Sequence, residues 1–208
     1  MEDVLTVYQR PPDAAHPVIC MDETSKQLVG ETRLPLPAEP GQPRREDYEY
    51  ERHGVANLFL FSEPLTGWRE VRVTERRTGT DWAEAMRELA NQHYPTAERI
   101  TVVRDNLNTH RPASFYEAFA PEEARRLTER FEFHDTPKHG SWLNRAEIEF
   151  SVLARQCLNR RISNAEILRH EIRVWQQKRN ATGHTIDWQF TTTDARIKLK
   201  RLYPVIKD

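Results

Sequence analysis

The sequence predicts a mixed α/β fold in which helices cover one β-sheet. Two observations carry this prediction. Short apolar runs of strand length occur at 17–21, 55–61 and 99–104. Between and after them, apolar residues recur at helical spacing, as at 80–93 and 165–179. Strands and helices that alternate along a chain are typical of a sheet with helices packed on it.

Local signals place each element in order. The run at 17–21 is expected to end at the charged pair Asp22 and Glu23. Four prolines make 34–45 an extended loop, because proline fixes φ and donates no backbone hydrogen bond. Prolines also open two of the helices. The predicted strands are 17–21, 55–61, 70–74, 99–104 and 131–134, with a hairpin turn at 64–67, and the predicted helices are 80–93, 112–119, 121–130, 144–160 and 165–179.

Composition excludes several classes of protein. Hydrophobic residues make up 38% and charged residues 30% of the 208 residues, which suits a globular domain. The longest apolar stretch is far shorter than the ~18–20 residues of a membrane helix. Two cysteines, Cys20 and Cys157, make no disulfide framework, and the eight histidines follow no zinc-binding spacing. We therefore expect a cytoplasmic protein with no membrane partner.

The net charge of −1 conceals an asymmetry. Residues 1–150 carry 19 basic and 27 acidic side chains, whereas residues 151–208 carry 12 basic and 5 acidic ones. Arg169 and Arg173, four residues apart, share one helix face. This basic segment either follows a phosphate backbone or is an ordinary solvated helix surface. Contact with a polyanion is the preferred interpretation.

Two aspartates follow predicted strands directly. Asp22 comes after the apolar run VICM, and Asp105 comes after RITVVR. In open α/β sheets, ligands bind at the carboxyl ends of the strands, which makes both carboxylates candidates for a site. The alternative is that each aspartate only begins a turn or caps a helix.

A third carboxylate begins the helix predicted at 144–160. Glu147 follows Asn144 by three residues, the spacing of a capping box, so a capping role is the alternative to a functional one. Glu149 lies roughly 200° further around the helix and is expected to point elsewhere. Three carboxylates at one site would bind Mg²⁺, and two such ions would promote phosphodiester displacement. The spacing alone does not show that Asp22, Asp105 and Glu147 meet.

Three motifs resemble those of a known family. They are CMDE around Asp22, VVRDNLNTH around Asp105 and TPKHGSWLNRAEIEFS around Glu147. Together they resemble the catalytic aspartate, aspartate and glutamate of DDE transposases, most closely those of bacterial insertion sequences allied to the mariner group. RHGVANLF and FTTTDARIKLKRLYP add to the resemblance, which covers about residues 16–204.

The resemblance implies an RNase H-like fold with a mixed five-stranded sheet flanked by helices. It implies that Asp22, Asp105 and Glu147 are catalytic and hold two Mg²⁺ ions, for which Mn²⁺ substitutes. The implied reaction is cleavage at transposon ends, followed by attack of the freed 3′-hydroxyl on target DNA. The interval of 42 residues between Asp105 and Glu147 is longer than the usual mariner-type spacing. Glu149 is therefore the alternative third carboxylate.

Several residues near the three motifs are candidates for supporting roles at the site. Asn106 and His110 either orient a metal-bound water or a phosphate, or fix the turn. Lys138 and His139 are candidate DNA contacts, because cations and a nearby helix N-terminus attract phosphate. Trp142 either stacks on a DNA base or packs in the core, the latter being preferred. The candidate DNA contacts are Lys138, His139, Trp142, Asn144, Arg169 and Arg173.

The expected organisation is a catalytic domain at 16–180, interrupted by a proline-rich insertion at 34–54. An N-terminal extension (1–15) and a basic C-terminal tail (181–208) complete it. Related transposases carry helix-turn-helix modules that read the transposon ends, so a separate module is expected to supply this function. Family members act as homodimers on DNA, and the loop at 34–45 is a candidate contact; the expected location is the bacterial nucleoid.

Two other functions stay open. One is a different RNase H-like nuclease, such as a junction resolvase or a nuclease of RNA–DNA hybrids, although these lack the SWLNxxE run. The other is an inactive or domesticated DNA-binding relic without an end-recognition domain.

Overall fold

The structure is a computed structural model that describes residues 1–107 and 109–203, so the last five residues of the predicted tail lie outside it. Its centre is a five-stranded sheet of spatial order β3-β2-β1-β4-β5. β2 pairs antiparallel with β1 and β3, whereas β4 pairs parallel with β1 and β5. The strands are β1 (Val18–Glu31), β2 (Tyr50–Glu63), β3 (Trp68–Thr74), β4 (Ile100–Arg104) and β5 (Phe131–Asp135). The predicted fold class is confirmed.

Helices cover both faces of the sheet. Two short π-helical turns, Leu89–His93 and Ala154–Leu158, continue α2 and α5. None of the helices in the described ranges has the length and apolar character needed to cross a bilayer. The helices are α1 (Glu2–Val7), α2 (Gly79–Glu88), α3 (Ala113–Ala118), α4 (Pro121–Arg130), α5 (Ala146–Leu153), α6 (Ala165–Thr182) and α7 (Thr192–Lys198).

Strand alternation divides the core into two layers. Ile19 and Met21 of β1 pack with α2, α3 and α4, whereas Cys20 packs with α1, α5 and α6. Successive side chains of a strand point to opposite faces, so each layer receives every second residue. We call these the α2 face and the α5 face. The next residues of β1, Asp22 and Glu23, continue the alternation toward the α5 face and the α2 face respectively.

β1 does not end where the sequence predicts. The charged pair Asp22 and Glu23 was expected to stop it, yet the strand continues to Glu31. Its antiparallel partner β2 supplies the hydrogen bonds, with Asp22 opposite Leu60 and Glu23 opposite Phe59. A partner more than 30 residues away therefore overrides the local charge signal.

The N-terminal segment packs into the same core as the sheet. Val4, Leu5 and Val7 of α1 are 0–1% exposed on the α5 face. Glu2 forms an ion pair with Arg196, which joins α1 to α7. The first residues, expected as an extension, thus form part of the packing behind α5.

Candidate active site

Asp22 and Asp105 lie side by side on neighbouring strands. The parallel pairing of β1 with β4 ends at Met21 and Arg104, and the two aspartates come next. Paired strands run about 4.8 Å apart. Each aspartate follows by two residues a side chain of the α5-face core, Cys20 or Val103, and so is directed to that face. The two aspartates therefore lie level with the carboxyl end of β4, although β1 itself continues past Asp22.

Glu147 reaches the same face from the first turn of α5. Together with Asp22 it lines a groove of about 790 Å³ between β1 and α5. The sheet therefore directs two carboxylates toward the helix that carries the third. The structure brings together the three acidic residues that the sequence motifs single out.

The electrostatics of Asp22 show how close these groups are. Burial, together with the negative charges of Asp105 and Glu147, raises the pKa of Asp22 from 3.8 to about 7. The backbone N–H of Glu23 donates to Oδ1 of Asp22 at 2.8 Å and opposes this rise. The carboxyl group thus holds a proton near neutral pH in the absence of a neighbouring positive charge.

Asp105 is oriented by the next strand of the sheet. The hydroxyl of Thr136 donates to Oδ1 of Asp105 at 2.9 Å, and the backbone N–H of Thr136 donates to the carbonyl of Arg104. Thr136 is buried, directly after β5. Sequence reasoning missed Thr136, although its place after the last strand of the sheet was a usable signal.

The donor set suits a hard divalent cation. In residues 1–107 and 109–203, no three His, Cys, Asp or Glu side chains converge closely enough to form a complete ion site. Carboxylate oxygens are the preferred ligands of Mg²⁺, and mutual repulsion already perturbs Asp22. A positive charge placed among Asp22, Asp105 and Glu147 would relieve that repulsion. The chemistry of these three side chains therefore fits a hard divalent cation such as Mg²⁺.

Asn144 anchors α5 to the central strand. Its amide Nδ2 donates to the carbonyl of Met21 at 2.8 Å, and its Oδ1 accepts from the N–H of Ala146 at 3.2 Å. The residue is 1% exposed, so the predicted DNA contact by Asn144 is wrong. The predicted capping box also does not form, since α5 begins at Ala146 and no side-chain cap involves Glu147. Asn144 instead fixes α5 to the residue before Asp22.

A second anchor comes from Tyr8, which follows α1. Its hydroxyl donates to the carbonyl of Leu143 at 2.7 Å and accepts from the N–H of Arg145 at 3.3 Å. The guanidinium of Arg145 lies 3.8 Å from the centre of the Tyr8 ring. Sequence reasoning missed this contact, because 135 residues separate Tyr8 from Leu143 and no local pattern links them.

Glu149 does not join the site. Its carboxylate is buried and paired with Arg69 at 3.1 Å and Arg179 at 2.9 Å. Both of its oxygens accept hydrogen bonds from Arg179. Glu149 is therefore engaged in the core and is not available as the alternative third carboxylate.

His110 lies on the other side of the sheet. Its Nε2 is 3.1 Å from Oε2 of Glu23, and its ring stacks on Trp82 with centroids 5.7 Å apart. It is buried on the α2 face, which supports the turn-fixing alternative over contact with a water or phosphate at the site. Asn106 is exposed and stays beside Asp105 in a second groove.

Lys138 and His139 are exposed and line this second groove of about 390 Å³ with Asp105. His139 has φ +63°, a left-handed conformation that is uncommon outside glycine. Trp142 is 44% exposed and packs edge-on against Phe190 at 5.5 Å. The preferred core assignment of Trp142 is therefore wrong, because one side of its ring faces solvent.

Arg169 and Arg173 lie away from the carboxylates. Both are exposed on α6 and line a cleft of about 200 Å³ with Glu70 and Gln176 beside β3. None of the three acidic residues borders that cleft. The structure thus separates this pair from the candidate active site.

Known proteins share this fold. Among solved structures, the Mos1 mariner paired-end complex with Mn superposes with a TM-score of 0.56 at 16% identity, covering 87% of this chain and 55% of that one. The Mos1 paired-end complex with the left transposon end gives 0.55 at 17% identity, with coverages of 86% and 54%. The likeness establishes the RNase H-like fold, and the chain spans about half the length of these transposases. No curated protein matches the sequence.

The sequence itself identifies the family. The profile described as "DDE superfamily endonuclease" matches residues 17–169, which is most of the chain. The matched range contains Asp22, Asp105 and Glu147, the residues that the sheet and α5 bring to one face. The chain therefore belongs to the DDE superfamily endonucleases.

Proposed function

We propose that this chain is the catalytic domain of a transposase from an insertion sequence allied to the mariner group. It cleaves DNA strands at transposon ends and joins the freed 3′ ends to target DNA. The observation that carries the proposal is the meeting of Asp22, Asp105 and Glu147 on the α5 face, where burial and the two other charges raise the pKa of Asp22.

Asp22, Asp105 and Glu147 would hold two Mg²⁺ ions, with Mn²⁺ as a substitute. When bound, the two ions activate the attacking oxygen and stabilise the leaving oxygen of the displacement. Asp22 must lose its proton to act as a ligand, while Thr136 keeps the carboxylate of Asp105 oriented. Similar Mos1 complexes were obtained with Mn and with Mg, which supports this choice of cations.

Asn144 and Tyr8 contribute by holding α5. Asn144 joins the start of the helix to β1, and Tyr8 clamps the backbone at Leu143 and Arg145. Both contacts precede Glu147 by a few residues. Catalysis through two metal ions requires carboxylates held within a fraction of an ångström, so these anchors set the position of Glu147 relative to Asp22.

The proposed partners are transposon-end DNA, target DNA and a second copy of this chain. Similar structures are paired-end and strand-transfer complexes of Mos1, which supports DNA as the partner. The loop between β1 and β2 exposes Leu34, Leu36 and Tyr48, and it is our candidate contact between copies. A separate helix-turn-helix module would read the end sequence, and the site of action would be the bacterial nucleoid.

The test is cleavage of labelled DNA duplexes in Mg²⁺, compared with RNA–DNA hybrids and four-way junctions. Asp22→Asn, Asp105→Asn and Glu147→Gln should each abolish cutting. Glu122→Gln, an exposed acid on α4 across the sheet, is the matched control and should cut normally. Cutting of hybrids or junctions alone would favour another nuclease, and DNA binding without any cutting would favour a relic. Cutting that survives in the three variants would overturn the proposal.

A further inference from the structure

Two grooves meet at the carboxylates. The first lies between β1 and α5, and its lining includes Asp22, Glu147 and Arg155. The second begins at Asp105 and ends at Lys138. Because Asp22 and Asp105 occupy adjacent positions on paired strands, the grooves adjoin at the centre of the site. Each groove carries an exposed cation, Arg155 in the first and Lys138 in the second.

Among the described residues that line the first groove, Arg155 is a cation without a partner. Nearby charges are engaged: the ammonium of Lys26 donates to the carbonyls of Leu158 and Arg160 at 2.8 and 3.1 Å, and Arg160 pairs with Glu171. Arg155 is exposed and has no hydrogen bond or ion pair within the part of the chain that is described. Its guanidinium is therefore available to a ligand in the groove.

Arg155 lines the same groove as Glu147. The two residues are eight positions apart, about 12 Å at the rise of an α-helix. A π-helical turn begins at Ala154, and such turns often occur at functional sites. Lys26 ties the end of this turn to β1, so the wall that carries Arg155 is fixed to the strand that carries Asp22.

Lys138 is the corresponding cation of the second groove. It is exposed and, among described residues, makes no hydrogen bond or ion pair. The tight turn around it is constrained: the N–H of Gly140 donates to the carbonyl of Pro137 at 2.8 Å, and a Cβ on Gly140 would approach Pro137 to 2.6 Å. His139 next to it is held in the left-handed region. A fixed turn thus presents Lys138 beside Asp105.

We propose that the two grooves form one channel and that one DNA strand crosses the carboxylates along it. Lys138 contacts a backbone phosphate on one side of the cleaved phosphate, and Arg155 contacts a backbone phosphate on the other side. The proposal rests on the proposed function, since it assigns the path of that substrate. Free cations that flank an acidic centre match a polyanion whose middle phosphate is addressed through metal ions. The proposed DNA path does not include Arg169 and Arg173, because they border a separate cleft.

The binding test uses fluorescence anisotropy of a labelled single strand in EDTA over a series of KCl concentrations. Each lost phosphate contact on a single strand should reduce the slope of log K against log salt by about 0.7. Arg155→Ala and Lys138→Ala should each lose about this amount, and the double variant about twice as much. Arg99→Ala, an exposed arginine before the amino end of β4, is the matched control and should keep the wild-type slope. Unchanged slopes in both variants, or an equal loss in Arg99→Ala, would overturn the path.

The cleavage test places the contacts. Single neutral methylphosphonates are introduced along the cut strand, and wild type is compared with each variant. One position on one side of the cut should weaken cutting by wild type but have no further effect on Arg155→Ala, and a position on the other side should behave likewise for Lys138→Ala. If wild type cuts and no such position exists, the path is wrong although the enzyme is a nuclease. If wild type does not cut, the proposed function fails, whereas the salt slopes still decide the path.

Discussion

On the α5 face, Asp22 and Glu147 line a groove, and no lysine, arginine or histidine within the described ranges pairs with them. On the α2 face, Glu23 pairs with His110 and with Arg77 at 3.4 Å. Asp22 and Glu23 are adjacent in sequence, so the alternation of one strand sends one carboxylate to each environment.

The same contrast recurs on α5. Glu147 faces the groove, and Glu149, two residues later, is buried between Arg69 and Arg179. A buried carboxylate without a positive partner destabilises a fold, whereas a paired one is tolerated. Clustered carboxylates without such partners are therefore expected where cations arrive from solution, and paired ones where the chain supplies its own.

The largest expected effect separates activity from folding on α5. Glu147→Gln should reduce metal-dependent DNA cleavage by about 10³-fold or more, because a metal ligand contributes several kcal/mol to the transition state. Its melting temperature should stay near the wild-type value, since Glu147 lines a groove and has no described ion pair. Single-turnover cleavage and thermal unfolding measure the two quantities. A variant that cleaves normally would remove Glu147 from the site.

Glu149→Gln should show the opposite pattern. Removing one charge from the cluster leaves the buried guanidinium of Arg69 and the partly buried one of Arg179 without their carboxylate. The expected loss is about 3–5 kcal/mol in the free energy of unfolding. Urea denaturation measures the loss, and cleavage per folded molecule should be largely kept. A stable but inactive Glu149→Gln variant would reverse the roles assigned to the two glutamates.

The pH dependence of stability should identify Asp22. Its raised pKa means that the folded state binds a proton more tightly than the unfolded state, so this group's contribution to stability falls as pH rises from about 4 to about 7. Asp22→Asn should remove that fall and stabilise the metal-free protein at pH 8 by up to about 4 kcal/mol, at about 1.4 kcal/mol per pKa unit.

Thermal unfolding in EDTA between pH 4 and pH 8 measures this difference. Added Mg²⁺ should raise the melting temperature of wild type, because binding to the folded state stabilises it. The same addition should affect Asp22→Asn much less. A wild type that is less stable at pH 5 than at pH 8, relative to Asp22→Asn, would contradict the raised pKa of Asp22.

Much of this arrangement is predictable from the sequence, and the exceptions have a common cause. The five strands, the α5 region and the places of Asp22 and Asp105 follow from apolar runs and the carboxylates that end them. The full length of β1 is not predictable from its own residues, because the hydrogen bonds that extend it come from β2. Nor do the contacts of Tyr8 with Leu143 or of Glu149 with Arg69, since they join distant segments whose meeting no local pattern records.

A moderate effect is expected at the anchor of α5. Asn144→Ala removes the hydrogen bonds to Met21 and Ala146 and leaves buried backbone groups without a partner. The free energy of unfolding should fall by about 1–3 kcal/mol. Cleavage by the remaining folded protein should also fall, because the start of α5 loses its tie to the strand of Asp22. If kcat is unchanged, Asn144 stabilises the fold without positioning Glu147.

The smallest effect is expected at the corresponding tie on the α2 face. His110→Gln removes the imidazole, and with it the contact of Nε2 with Glu23 and the stacking on Trp82. The expected loss is about 1–2 kcal/mol in the free energy of unfolding, similar to a lost buried hydrogen bond. Cleavage per folded molecule and the apparent affinity for Mn²⁺ should match wild type, since the contact faces away from the three carboxylates. A weaker Mn²⁺ affinity in His110→Gln than in Asn144→Ala would show that the α2 face, and not α5, sets the spacing of the site.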